Sequence, residues 1–111
     1  MKEFNFEKTT IVDIIHEILL DGKNKKVDEI IFEPNTDGLL IKMKADFGTF
    51  SHSFIPKDFA RNAISRTKMM ANLNIMETHR EQEGIIVNDT GKYNVLITPT
   101  NDGEKVIINL K

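Results

Sequence analysis

The sequence predicts an α+β fold, a single largely antiparallel sheet with two helices on one face, and three observations predict it. Two segments repeat apolar residues at the three-to-four spacing of a helix with one buried side. Around them lie short runs of alternating or continuous apolar residues bounded by turn residues, the pattern of strands. The order is helix, two or three strands, helix, three strands, and the simplest packing of that order lays both helices on the same side of one sheet.

The first helix is expected over about residues 10 to 21. In TTIVDIIHEILLDGKNKK, Ile11, Ile14, Ile15, Ile18 and Leu19 fall on one helical face. Thr10 suits the cap, Asp13 meets the positive end of the helix dipole, and Gly22 suits the left-handed residue after the last turn. KVDEIIFEP follows as a strand, with Ile30 and Phe32 facing one way, Ile31 the other, and Pro34 ending it for want of an amide hydrogen. NTDG reads as a hairpin turn, with Asp37 and Gly38 expected at positive φ. The return strand LLIKMKADF sets Leu39, Ile41, Met43 and Ala45 against Leu40, Lys42, Lys44 and Asp46, and a short strand is expected near TFSHSF.

Pro56 stands where a second helix can start without losing a useful donor. From there to about Asn72, Ala60, Ala63, Ile64, Thr67, Met70 and Ala71 form the buried side. Arg61, Ser65, Lys68 and Asn72 make one exposed stripe, with Arg66 on another flank. Three strands, GIIVND, KYNVLITPT and KVIINLK, close the chain, separated by the turns NDTGK and NDGEK.

Composition narrows the class. A chain of 111 residues, 40% hydrophobic and 29% charged, is expected to be one soluble domain, residues 1–111, with a core that needs no staple. Its net charge of -2 argues against a nucleic-acid partner. The lack of cysteine excludes a disulfide framework, a thiolate zinc site and a cysteine nucleophile, and is compatible with a cytoplasmic location. MKEFNFEKTT lacks the apolar core of a signal peptide and no apolar run is long enough to span a bilayer, so any membrane role is expected to be indirect.

Catalytic equipment is not evident. His16, His52 and His79 lie far apart without paired-ligand spacing, so no metal site is expected. Ser51, Ser53 and Ser65 sit in no nucleophile elbow, and regular strand alternation points the His52 imidazole away from both neighbouring hydroxyls. Ser65 is read as a surface residue. Glu81 and Glu83 are read as a solvated loop, since no cleft is indicated to turn them into an acid and base pair. No phosphate-binding loop occurs, so no cofactor is expected. Lys42 and Lys44, with Arg61, Arg66 or Lys68 nearby in the fold, form either a basic patch or a solvated charged face. Met69, Met70 and Met76 fill gaps in a core or an interface.

The succession VDEIIFEP, a turn, IKMKAD, IPKDFARNAISRTKMMANLNI, QEG, ITPT and GEKVIINL runs from about Thr10 to Lys111. In that order it resembles the N-terminal core domain of the type II secretion and type IV pilus assembly ATPases. Its most specific pieces are Ser65 to Ile75, Gln82 to Gly84 and Pro99 to Leu110, with Glu33 and Pro34 adding weight. The resemblance implies a PAS-like domain that precedes a nucleotide-binding domain, absent from these 111 residues, and packs against a neighbouring subunit of a hexameric ring. It also implies basic residues near the phosphates of ATP held by that other domain, where a positive group stabilises charge on the transferred phosphoryl.

Position by position, Arg66 matches the arginine after the helix serine. Lys42 and Lys44 replace two arginines before an Asp-Gly pair, keeping charge without the bidentate fork. Phe47 intervenes between Asp46 and Gly48. Where the family usually has arginine, this chain has His79, Ile85, Asn94 and Asn109, and Arg80 replaces the first by a one-residue slip. The phosphate-proximal or interface set implied is therefore Arg66, Arg80, Lys42, Lys44, Lys68 and Arg61.

The expected function is that of a non-catalytic subunit-interaction domain of a bacterial type II secretion or type IV pilus ATPase, its partners the ATPase subunits or further copies of itself. The alternative is a free-standing adaptor or regulator with the same fold. A sensory domain with a small ligand between sheet and helix ranks last, because the apolar strands offer no evident polar anchors.

Overall fold

In the computed structural model, which describes residues Met1–Lys111, helix α1 spans Ile11–Asn24 and opens with the Thr10 hydroxyl accepting a hydrogen bond from the Asp13 amide at 3.2 Å. Ile14, Ile15, Ile18 and Leu19 are buried and Ile11 is half-buried, the face marked out by their spacing. A helix of this length is marginal alone in water. Burial of those four side chains, about 1.5–3 kcal/mol each, is what holds it. Gly22 departs from expectation: it is a buried residue inside the helix, and the left-handed residue beyond the last turn is Lys26, at φ 56°. A Cβ at Gly22 would stand 2.7 Å from Ile30 Cδ1, so the glycine serves close approach of α1 to the sheet.

Strands β1 (Glu29–Asn35), β2 (Gly38–Ala45) and β3 (Gly48–Pro56) form one meander, and β4 (Gln82–Asn88), β5 (Gly91–Thr100) and β6 (Gly103–Asn109) form another. Antiparallel pairing of β1 with β6 joins them into a six-stranded sheet of order β3-β2-β1-β6-β5-β4. The chain therefore leaves β3 at one edge and enters β4 at the other. Five strand spacings of ~4.8 Å amount to ~24 Å. Helix α2, the 14 residues Lys57–Met70, covers ~21 Å at the helical rise, and residues 71–81 complete the crossing.

Each hairpin has a two-residue loop followed by glycine, the closing pairs being Asn35↔Gly38, Ala45↔Gly48, Asn88↔Gly91 and Thr100↔Gly103. In the first, only Gly38 takes positive φ, at 149°, and Asp37 does not. Any Cβ at Gly38 would fall 2.1 Å from the Ile55 carbonyl oxygen. Pro34 does not end β1 but lies within it, opposite Leu39. Hydrogen-bonded pairs alternate from the closing pair Asn35↔Gly38, so Pro34 turns its nitrogen toward β6, where pairing has already ended at Phe32↔Val106.

Both helices lie on the same face of the sheet. Between them and the strands sits one cluster of 21 buried apolar residues, among them Ile30, Phe32, Ile41, Met43, Ile97, Val106 and Ile108. Ala63, Ile64, Thr67 and Ala71 of the α2 segment are buried and Ala60 and Met70 half-buried, as the helical period predicts. One residue joins them that the period does not predict, Lys68.

Candidate functional site

The face of the sheet without helices is assembled by register. One row across the strands reads Ile85, Asn94, Asn109, Glu29, Lys44 and Thr49, and the next reads Glu83, Leu96, Ile107, Ile31, Lys42 and Ser51. Leu96, Ile107 and Ile31 give this face a half-buried apolar centre. Charge surrounds it: Lys42 and Lys105 reach Glu33 Oε1 at 3.3 and 3.7 Å. Toward the β4 edge, Ile85 and Val87 are 49% and 64% exposed. Three of the four positions where the resemblance implies arginine, Ile85, Asn94 and Asn109, thus stand side by side with Lys44, and Lys44 is the only cation in that row.

Of the two readings of these cations, a single basic patch does not form. Lys42 and Lys44 alternate with the buried Ile41 and Met43 and so project from the open face, whereas Arg61, Arg66 and Lys68 belong to α2 on the other side. Arg66 is half-buried, and Arg80 is exposed in the segment between α2 and β4. Neither takes part in an ion pair, nor does Arg61 or Lys57.

Lys68 is the largest departure. It is not exposed but 1% accessible, with Nζ donating to the Glu77 carbonyl at 2.6 Å and to Glu104 Oε1 at 2.9 Å. Glu104 Oε2 is buried and accepts no hydrogen bond. The stripe of Arg61, Ser65 and Lys68 faces a cleft of about 1060 Å³ between α2, the tips of the β1–β2 and β5–β6 hairpins and residues 75–79. Ser65, read as a surface residue, is half-buried on its wall.

Gln82, Glu83 and Gly84 open strand β4, paired with Ile97, Leu96 and Val95, so Glu83 is a strand residue rather than part of a loop, and this strand start shapes the same region. Gln82 Oε1 accepts from the Asn74 amide at 2.9 Å and its Nε2 donates to the Asn74 carbonyl at 3.0 Å, mimicking a backbone pair. A Cβ on Gly84 would lie 2.5 Å from the Ala71 carbonyl oxygen. Gln82 thus pins the segment that follows α2, and Gly84 lets the end of that helix press on β4.

A second polar cluster corrects the reading of His52. Ile41 pairs with Ser53 and Lys42 with Ser51, leaving His52 as a β-bulge. The bulge turns His52 and Ser53 both inward, so that His52 Nδ1 lies 2.9 Å from Ser53 Oγ and Nε2 lies 2.9 Å from Asp21 Oδ2. With its proton on Nε2, the imidazole donates to Asp21 and accepts from Ser53. Lys2 Nζ completes the chain, 2.7 Å from Asp21 and 3.1 Å from Glu17. Burial pushes the Asp21 carboxyl up, but the bonds from Lys2 and His52 outweigh it and hold Asp21 below the usual carboxylate range. The hydrogen bond to Asp21 in turn raises Lys2. Although the connectivity is that of a serine, histidine and aspartate triad, Ser53 is fully buried, so the hydroxyl has no path to a substrate. The cluster ties the N-terminal segment to α1 and β3, helped by Phe6 stacked on Phe59 at 4.8 Å.

No group of three or more histidine, cysteine, aspartate or glutamate side chains is placed to hold a metal ion, and no helix is long and apolar enough to cross a membrane.

No family model matches the chain. It is 33% identical over 106 residues to the type IV pilus assembly ATPase PilB of Myxococcus xanthus, covering 90% of this chain and 19% of that protein. It is 25% identical over 115 residues to a protein transport protein HofB homolog of Haemophilus influenzae, covering 96% of this chain and 25% of that one. The chain spans about a fifth to a quarter of the length of these curated relatives. Over nearly all of its own length the chain is therefore homologous to a domain-sized part of proteins that include a type IV pilus assembly ATPase, the relationship its motifs imply.

Proposed function

We propose that this chain is a subunit-interaction domain of a cytoplasmic ATPase that assembles type IV pili or transports proteins, and that it acts by contact rather than by chemistry of its own. The observation that carries the reading is the similarity to a pilus assembly ATPase across 90% of the chain. The open sheet face supports it. A patch with Leu96, Ile107 and Ile31 at its centre and Lys42, Glu33 and Lys105 around them has the apolar core and polar rim of an interface. In a ring this face docks on a neighbouring subunit and brings Lys42 and Lys44 toward the boundary, where they act as point charges.

Size measurements on the chain joined to its nucleotide-binding part test this. Ile31→Glu with Ile107→Lys, an opposite-charge pair across β1 and β6, is expected to abolish ring assembly while lowering the urea midpoint of the 111-residue chain only modestly. Rings that form equally well with both substitutions sink the reading. A second reading, a free-standing adaptor that binds such a motor, is favoured by Ile85, Asn94 and Asn109, three uncharged side chains at positions where the resemblance implies arginine. An open reading frame with a phosphate-binding loop downstream of codon 111 eliminates it.

A further inference from the structure

The two edges of the sheet differ. At the β3 edge, His52 bulges out of register, its carbonyl accepts the Lys2 amide at 2.8 Å from the N-terminal segment, and Pro56 ends the strand. A bulge, a covering segment and a proline all protect an exposed strand from pairing. At the β4 edge none of them occurs. Gln82–Asn88 pairs with β5 without a register shift and contains no proline, lysine or arginine. Hydrogen-bonded pairs alternate from the closing pair Asn88↔Gly91, so Glu83, Ile85 and Val87 turn their N–H and C=O groups away from β5. No other backbone group of the chain bonds to them. Their side chains are exposed as well, Ile85 at 49% and Val87 at 64%.

Such an edge is a template for one more strand, and its register decides which strand fits. Two copies of β4 related by a two-fold axis at Ile85 set Ile85 opposite Ile85 and Glu83 opposite Val87. All the outward residues then meet outward residues, each pair exchanges both its bonds, and every free N–H and C=O of the two edges is satisfied. A shift of two residues either way sets Val87 against Glu81 or Glu83 against Asp89, both outside the strand, and the second opposes two carboxylates. Charge agrees with the register centred on Ile85. One row then reads Lys92 and Val87 of one copy followed by Glu83 of the other. Lys92 and Glu83 are exposed and neither has an ion-pair partner within its own chain. Two strand spacings, about 10 Å, separate their backbones, within the joint reach of the two long side chains across the valine. We propose that two copies of this chain pair through β4, antiparallel about Ile85, so that their six-stranded sheets become one. The contact is an edge of the sheet, so it stands or falls separately from docking of the open face in a ring.

Sedimentation of the 111-residue chain between about 10 µM and 1 mM tests this, and monomer and dimer are expected to exchange with concentration, as a small interface dictates. Ile85→Lys brings two ammonium groups together at the axis and should weaken the dimer about tenfold or more, while the bonds from β4 to β5 keep the urea midpoint close to the parent's. Glu83→Lys should weaken it too, and adding Lys92→Glu should restore it. The chain has no cysteine, so single cysteines read the register. Ile85→Cys places two Cα atoms about 5.5 Å apart across the axis, within disulfide range, and should cross-link under mild oxidation. Glu83→Cys or Val87→Cys alone leaves them about 13 Å apart and should not, whereas a mixture of those two variants should. A chain that stays monomeric throughout, equal cross-linking by the three single cysteines, or a dimer that Ile85→Lys leaves intact would each overturn the proposal.

Discussion

The buried pair of Lys68 and Glu104 allows a quantitative test of how this end of the molecule is held. At 2.9 Å and an effective dielectric of about 20, the gross attraction is ~6 kcal/mol. Desolvating two ions costs several kcal/mol each, so the net value of the intact pair is small. Removing one partner is different. Lys68→Met leaves Glu104 charged and buried without its cation, and Glu104→Leu does the same to Lys68; each is expected to cost about 3–5 kcal/mol. The double variant Lys68→Met with Glu104→Leu loses the attraction and both desolvation costs together, leaving mainly the Glu77 carbonyl with only the long 3.4 Å bond from Gln82 Nε2, about 1–3 kcal/mol. The single costs should therefore exceed the double cost by at least ~3 kcal/mol when summed. Urea unfolding of the four proteins, followed by far-ultraviolet circular dichroism, measures each cost. Single variants that lose less than ~1 kcal/mol, or single costs that add to the double cost, would refute a buried and mutually dependent pair.

Three further outcomes follow from the geometry. Gly84→Ala drives a methyl into the Ala71 carbonyl, which cannot yield, and should cost about 1–3 kcal/mol; Gly22→Ala meets the flexible end of Ile30 and gains roughly 1 kcal/mol of helix propensity, so it should be close to neutral. Equal urea midpoints for the two would contradict this contrast. Because the Asp21 carboxyl is held low, its contribution to stability is present above the unfolded value of about 3.9 and is lost as the pH falls through the lower folded value. The gap between parent and Asp21→Asn should narrow below about pH 4, and a gap unchanged from pH 7 to pH 2 would show that Asp21 contributes nothing as a charge. The raised Lys2 loses its share at the opposite end, as the pH climbs past about 10.4. Gln82→Ala removes the side-chain partner of the Asn74 amide, so hydrogen exchange at Asn74 should quicken while amides of β1 and β6 keep their rates.

The sequence by itself determined the elements and their faces. Ile14, Ile15, Ile18 and Leu19 repeat with the helix, Leu39, Ile41 and Met43 with the strand, and the turn residues punctuate both, because these are periodic properties of a short stretch of chain. Four things were decided only by tertiary structure. Lys68 looked like part of a solvated stripe, and it is buried because the β5–β6 hairpin and residues 74–79 close over the end of α2, bringing Glu104 from 36 positions away. His52 faces Ser53 because pairing with β2 leaves a bulge, and a bulge belongs to the register of two strands rather than to either alone. Lys42 and Lys44 part from Arg61 and Arg66 because a sheet stands between them. Ile85, Asn94, Asn109 and Lys44 share one row because β1 and β6, near opposite ends of the chain, pair side by side. Local pattern sets which side of an element is apolar; which distant residues share a surface depends on how the elements meet.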